Sequence, residues 1–145
     1  MRNIVIAATL AALCFADSEK KIAEKDLPPA VQQAVKEQSK GAVIRGFTKE
    51  VEHGKISYEA EMTVNGHSRD VSFDAAGRVV SIEEETPIGD IPSAAREAIQ
   101  KAAAGGTLRK VEAVTENGKT TYEATIRRGA KSSEFHVDSE GRPLK

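Results

Sequence analysis

The sequence predicts an α+β protein of two tandem repeats, each an N-terminal helix followed by a four-stranded antiparallel meander with one sheet face open. Three observations carry that expectation. Residues 26–81, shifted by 64 positions, fall on residues 90–145 without a gap, and 16 of the 56 pairs are identical. In each copy the apolar period changes from helical to alternating just past a glycine, Gly41 or Gly105. Glycine turns then punctuate the alternating runs, at His53-Gly54, Asn65-Gly66 and Ala76-Gly77 in the first copy.

Residues 1–16 read as an export signal. Arg2 gives a positive start, Ile4 to Leu13 form an apolar run, and Cys14 and Ala16 occupy the −3 and −1 positions of a cut before Asp17. The run falls short of the roughly 20 apolar residues that a membrane-crossing helix needs. A lipid anchor on Cys14 competes with cleavage, although Leu13 stands where a small residue is normally required. Removal of Arg2 takes the formal charge from −1 to −2 and leaves no cysteine, hence no disulfide and no thiolate chemistry. A periplasmic or secreted location follows. Residues 17–25 are a charged leader, which either extends the first helix or stays loose.

Repeat 1 covers residues 26–85 and repeat 2 covers residues 90–145, joined by a linker at 86–89. Asp26 and Asp90 stand where a carboxylate caps a helix, with prolines in the first turn. Leu27, Val31, Ala34 and Val35 recur at helical spacing, as do Ile91, Ala94, Ala95, Ala98 and Ile99. Beyond the glycines a first strand runs from about Val43 or Leu108. The next alternates Ile56, Tyr58, Ala60, Met62 and Val64 against Ser57, Glu59, Glu61 and Thr63. Val71 and Phe73, or Phe135 and Val137, mark a third strand, and Val79, Val80 and Ile82 a fourth. With 4% aromatics and no tryptophan, the core has to rest on aliphatic side chains.

The Asp26-Leu27-Pro28-Pro29-Ala30-Val31 opening, the Tyr58-Glu59-Ala60 strand and the Phe73-to-Arg78 turn resemble the PepSY-like domains, which are related to the repeats of the beta-lactamase inhibitory protein. The resemblance spans residues 26–145 and rests on short structural motifs. It implies a small exported module without enzymatic activity that binds or inhibits another protein. The chain departs from that pattern in having no protease domain after it, no cysteines in the repeats and no aromatic-rich sheet surface.

The near-neutral charge with interspersed signs argues against a nucleic-acid partner. Glu59 and Glu61 project from one face of a strand, and Glu123 repeats the first. Without a pocket to separate their pKa values they read as solvated face residues rather than an acid–base pair. His53, His67 and His136 show no His-x-His or His-Glu-x-x-His spacing, so no zinc site is expected. Asp74 and Asp138, each three residues before a glycine, fit an Asx-type turn better than a calcium loop. Ser68 and Ser132 sit on no nucleophile-elbow pattern. No cofactor is expected. The leading expectation is an open sheet offered to a protein or peptide of the cell envelope. Its candidate contacts are Glu59, Glu61, Asp70, Glu123, Arg127, Glu134 and His136. Inhibition of an exported protease or other hydrolase through the hairpin tips His53-Gly54-Lys55 and Asn117-Gly118-Lys119 is the alternative, and a small-ligand or metal carrier a third reading.

Overall fold

A computed structural model describes residues 18–144; the expected signal segment 1–16, with Arg2 and Cys14, lies outside the described residues. The described part of the charged stretch ahead of the first helix neither extends that helix nor stays loose, but forms a strand and a 3-10 turn, Glu24–Asp26. Ser18–Ile22 forms strand β1, and Ile22 packs partly against the first core cluster. Strands β2 (Val43–Glu52), β3 (Lys55–Val64), β4 (His67–Phe73) and β5 (Val79–Glu85) follow helix α1 (Pro29–Gln38). Helix α2 (Ser93–Ala102) then precedes β6 (Thr107–Glu116), β7 (Lys119–Arg128) and β8 (Lys131–Val137).

This architecture corrects the expected fold class. Among the described residues the strands form one eight-stranded sheet in the order β1 to β8, all neighbours antiparallel, with two short α-helices. It is one continuous meander and mostly sheet, not two copies of a helix plus four strands. Three physical causes make the difference. The leader adds β1 to the edge of β2, Ser18 facing Val51 through Ile22 facing Phe47. The seam between halves is an ordinary strand pair, Ser81–Glu85 against Glu112–Glu116, and the Thr86 amide extends it by donating to the Val111 carbonyl at 2.9 Å. Past Val137 the described chain turns at Asp138–Arg142 and returns as an isolated bridge between Val137 and Pro143, with the Leu144 amide donating to the His136 carbonyl at 2.9 Å, rather than as a further strand.

The helices α1 and α2 begin at Pro29 and Ser93 behind Pro28 and Pro92, with no side-chain cap. The expected aspartate caps are therefore corrected: the proline between each aspartate and its helix moves the carboxylate out of reach. Asp26 and Asp90 instead close 3-10 turns, their amides donating to Ala23 and Pro87 carbonyls at 2.9 Å.

Tight turns set the register. His53-Gly54, Asn65-Gly66 and Asn117-Gly118 all take positive φ, between 49° and 87°, which is the backbone of the two-residue hairpin turn that matches strand twist. Register then fixes the faces. Arg69 opposes Glu84, Glu84 opposes Ala113, Ala113 opposes Tyr122, and Tyr122 opposes Val137. This row shares its face with Val71 and Phe73, so both core clusters lie on one side of the sheet. Leu27, Val31 and Val35 pack there on Phe47, Ala60, Met62, Val71 and Phe73. Ile91, Ala95 and Ile99 pack on Val111, Ala124, Ile126 and Val137. Among the described residues no helix lies on the other face.

Candidate functional site

Strand alternation puts one set of polar residues of β2–β8 on the helix-free face, and the register collects them into cross-strand rows. Thr48, Glu59, Ser72, Ser81 and Glu116 form one. Gly46, Glu61, Asp70, Glu83 and Val114 form the next. Glu85, Glu112, Glu123 and His136 form the third, with Glu134 two residues along β8. Carboxylates therefore face carboxylates directly at Glu61/Asp70, Asp70/Glu83, Glu85/Glu112 and Glu112/Glu123. Each such pair is unfavourable by roughly 0.2–1 kcal/mol.

Cations offset part of this repulsion. Lys21 of β1 bonds Glu61, which also accepts from the Thr48 hydroxyl at 3.2 Å. Arg45 is the extra residue of a β-bulge between Ile44 and Gly46, and its Nη2 lies 3.4 Å from Asp70 Oδ1. Lys110 Nζ lies 2.6 Å from Glu112 Oε1, and the Ser68 hydroxyl reaches the same oxygen at 3.4 Å. The Glu59 and Glu83 carboxylates make no hydrogen bond or ion pair to any of the described residues.

The electrostatics follow. Burial pushes Glu59 up to about 7, helped by the charges of Glu50 and Asp70. Burial likewise pushes Glu83 up to about 7, helped by Glu123 and Glu112. Asp70 and Glu123 are raised as well, each mainly by burial. Glu61 moves down instead, because the Lys21 ammonium bonds its charged form. The expected flat, solvated face is thus corrected. Glu112 is only 3% exposed although it stands on the side without helices. Long side chains on neighbouring strands shield one another from water wherever the sheet continues on both sides.

A shallow depression of about 290 Å³ holds Glu59 and Glu83 together, lined also by Glu50, Glu116, Val80 and Val114, with no lysine or arginine in its wall. A larger groove of about 920 Å³ runs between the His53-Gly54 hairpin and the Asp74–Arg78 turn. It is bigger but holds no half-buried, unpaired charge, so the smaller depression is the chemically distinctive one.

Of the residues singled out in sequence, Glu59, Glu61, Asp70, Glu123, Glu134 and His136 come together on this face. Arg127 shares the face by alternation but sits at the end of β7, where its Nε donates to the Gly129 carbonyl at 2.9 Å. Glu83, Glu85, Glu112, Lys21 and Lys110 were not anticipated. Alternation from Ser81 marks Glu83 and Glu85, but the burial of Glu112 depends on the β5–β6 pairing, which no local pattern reveals. Tyr58 and Tyr122 pack under the helices. Asp74 is consumed by its own turn, accepting from the Ala76 and Arg78 amides at 2.9 and 3.0 Å and from Arg78 Nε at 2.6 Å. Asp138 repeats the arrangement with Glu140 and Arg142.

No protein-family model and no curated protein sequence matches the chain. Its fold is shared with solved structures from Bacteroides species. A BLIP-like protein from Bacteroides fragilis superposes with a TM-score of 0.59 at 22% identity, over 82% of this chain and 84% of that one. A proposed periplasmic protein from Bacteroides eggerthii gives 0.67 at 18% identity, over 82% and 86%. A DUF2874 family protein from Bacteroides uniformis gives 0.64 at 18% identity, over 81% and 86%. The chain therefore has a BLIP-like fold. Among the described residues no helix is long and apolar enough to cross a membrane.

Proposed function

We propose that this is a non-enzymatic, PepSY-like binding module of the periplasm or extracellular space, and that its helix-free sheet face docks a protein or peptide segment bearing cationic groups. One observation carries the reading: facing rows of carboxylates in which Glu59 and Glu83 are half-buried, unpaired and pushed up to about 7. A sheet that breaks the rule against like charges opposite one another forfeits stability, and such local conflicts concentrate at functional surfaces. A lysine or arginine entering the depression would meet two carboxylates already partly stripped of water, beside Val80 and Val114 for its apolar stem. The export signal read in residues 1–16 and the periplasmic description of the B. eggerthii structure both support the location. Inhibition of a hydrolase draws less support, because the hairpin tips are two-residue turns with little to insert.

The test is crosslinking in the native envelope, with partners identified by mass spectrometry, for the parent chain and for Glu83→Lys and Glu123→Lys. Both reversals are expected to remove the same partners and to lower affinity for a synthetic Lys/Arg-containing peptide of that partner by about tenfold or more. An unchanged partner set would sink the assignment.

A further inference from the structure

We infer that Glu123, Glu134 and His136 form a binding site for a divalent transition-metal ion of the zinc class, at the β7–β8 end of the helix-free face. Glu123 and His136 are direct cross-strand partners, and Glu134 lies two residues before His136 on the same strand. The three side chains therefore leave one face from a triangle of positions about 5–8 Å apart, within reach of a common point for long side chains. One donor atom from each lies within 4.8 Å of the other two.

The imidazole sits between the carboxylates. Its Nδ1 is 3.6 Å from Glu123 Oε2 and its Nε2 is 3.9 Å from Glu134 Oε2. Neither is a hydrogen-bond distance, so the three groups converge without satisfying one another. A tetrahedral ion with bonds of about 2.0–2.2 Å places its donors roughly 3.4 Å apart. An ion takes one imidazole nitrogen, so one carboxylate has to swing round to the nitrogen that the other faces; Glu134, with 64% of its side chain exposed, has the room to do so. Glu123, at 15%, is the anchored member.

The donor set decides the metal. One imidazole nitrogen with two carboxylates suits zinc, cobalt and nickel, whereas calcium and magnesium select all-oxygen cages. Three protein ligands leave a coordination position open to water. The surroundings favour a cation: Glu112 stands beside Glu123 in its row, and the nearest ammonium, Lys110, is already bound to Glu112 at 2.6 Å. The corresponding positions in the first half are Glu59, Asp70 and Ser72, which lack the nitrogen donor. Among the described residues these three form the one such group, and it does not depend on the partner proposed above.

Titration of the purified metal-free chain with zinc chloride by calorimetry, and with cobalt(II) by visible absorption, tests it. Binding of about one equivalent is expected, with a dissociation constant on the order of micromolar and a cobalt spectrum of low coordination number. His136→Ala and Glu134→Gln should each weaken zinc binding by about tenfold or more while metal-free thermal unfolding stays unchanged, since both side chains are solvent-facing. The inference is overturned by no binding at about 100 µM zinc. It is equally overturned by zinc affinity unaltered in His136→Ala, or by zinc-induced shifts confined to the His53 and His67 side chains in NMR spectra, which would identify an adventitious ion only.

Discussion

Glu59 and Glu83 show how a residue's chemistry is set by what surrounds it. Both are ordinary carboxylates in sequence, yet burial and neighbouring charge raise them from 4.5 to about 7 in the folded chain. Between those values the folded state holds protons that the unfolded state has released. Stability therefore falls as pH rises through that window, and the penalty is complete above about 7. Glu61 runs the other way: its lowered value means that the stabilisation from Lys21 is lost as pH falls into the acid range. We predict that the double variant Glu59→Gln, Glu83→Gln is more stable than the parent at about pH 8, by about 1 kcal/mol per site after allowance for solvent screening. The advantage should shrink through that window and vanish only below about pH 4, where both states hold the protons. Thermal unfolding by circular dichroism across pH reads this, and parallel profiles for the two chains would refute it.

Among the elements, the Asp-x-x-Gly turns join sheet to helix. The Asp74 turn lies against α1, so closely that a Cβ on Gly77 would stand 2.5 Å from the Ala30 carbonyl oxygen. Gly141 meets Ala94 of α2 in the same way. These turns therefore fix how near each helix can lie, which no strand or helix pattern states by itself. Gly66 also has positive φ, 87°, but nothing stands within 4 Å of the position a Cβ would take. Gly77→Ala is accordingly expected to destabilise by about 3 kcal/mol or more, combining backbone strain with a clash, and Gly66→Ala by about 1 kcal/mol. Chemical denaturation of the two variants checks the contrast. Equal losses would show that the turn does not hold the helix. The elements themselves were largely legible: the period change past Gly41 and the dipeptides His53-Gly54 and Asn117-Gly118 mark β2, β3, β6 and β7. Strand β1 was not, because Ser-Glu-Lys-Lys-Ile has one apolar residue and no β signal. Its place comes from the unpaired edge of β2 and from Lys21 meeting Glu61.

At the scale of the whole molecule, the β5–β6 seam makes one sheet out of two helix-covered halves. Each core is small, with eight buried residues in one cluster and seven in the other, and units of this size are marginal alone. Pairing of Ser81–Glu85 with Glu112–Glu116 couples them through backbone hydrogen bonds. Unfolding is thus expected to be cooperative across the chain. The only two tyrosines report on different halves, Tyr58 beside the first cluster and Tyr122 beside the second. The single-tyrosine variants Tyr122→Phe and Tyr58→Phe should therefore each show a fluorescence transition that coincides with the circular-dichroism transition of the same variant. Separate midpoints would mean that the halves unfold independently.

By itself the sequence determined the repeated motif spacing, the helix positions, most strands and the side of each strand that faces water, since these depend on period and turn chemistry within a few residues. It also picked out Glu59, Glu61, Asp70, Glu123, Glu134 and His136 as residues of one face. Tertiary structure alone decided that the strands join in a single sheet, that a charged leader becomes its first strand, and that carboxylates far apart in the chain stand side by side. Those outcomes rest on pairing between distant strands, and pairing also sets how much water each carboxylate keeps. An exposed glutamate and one pushed up to about 7 are spelled alike; only the neighbouring strands distinguish them.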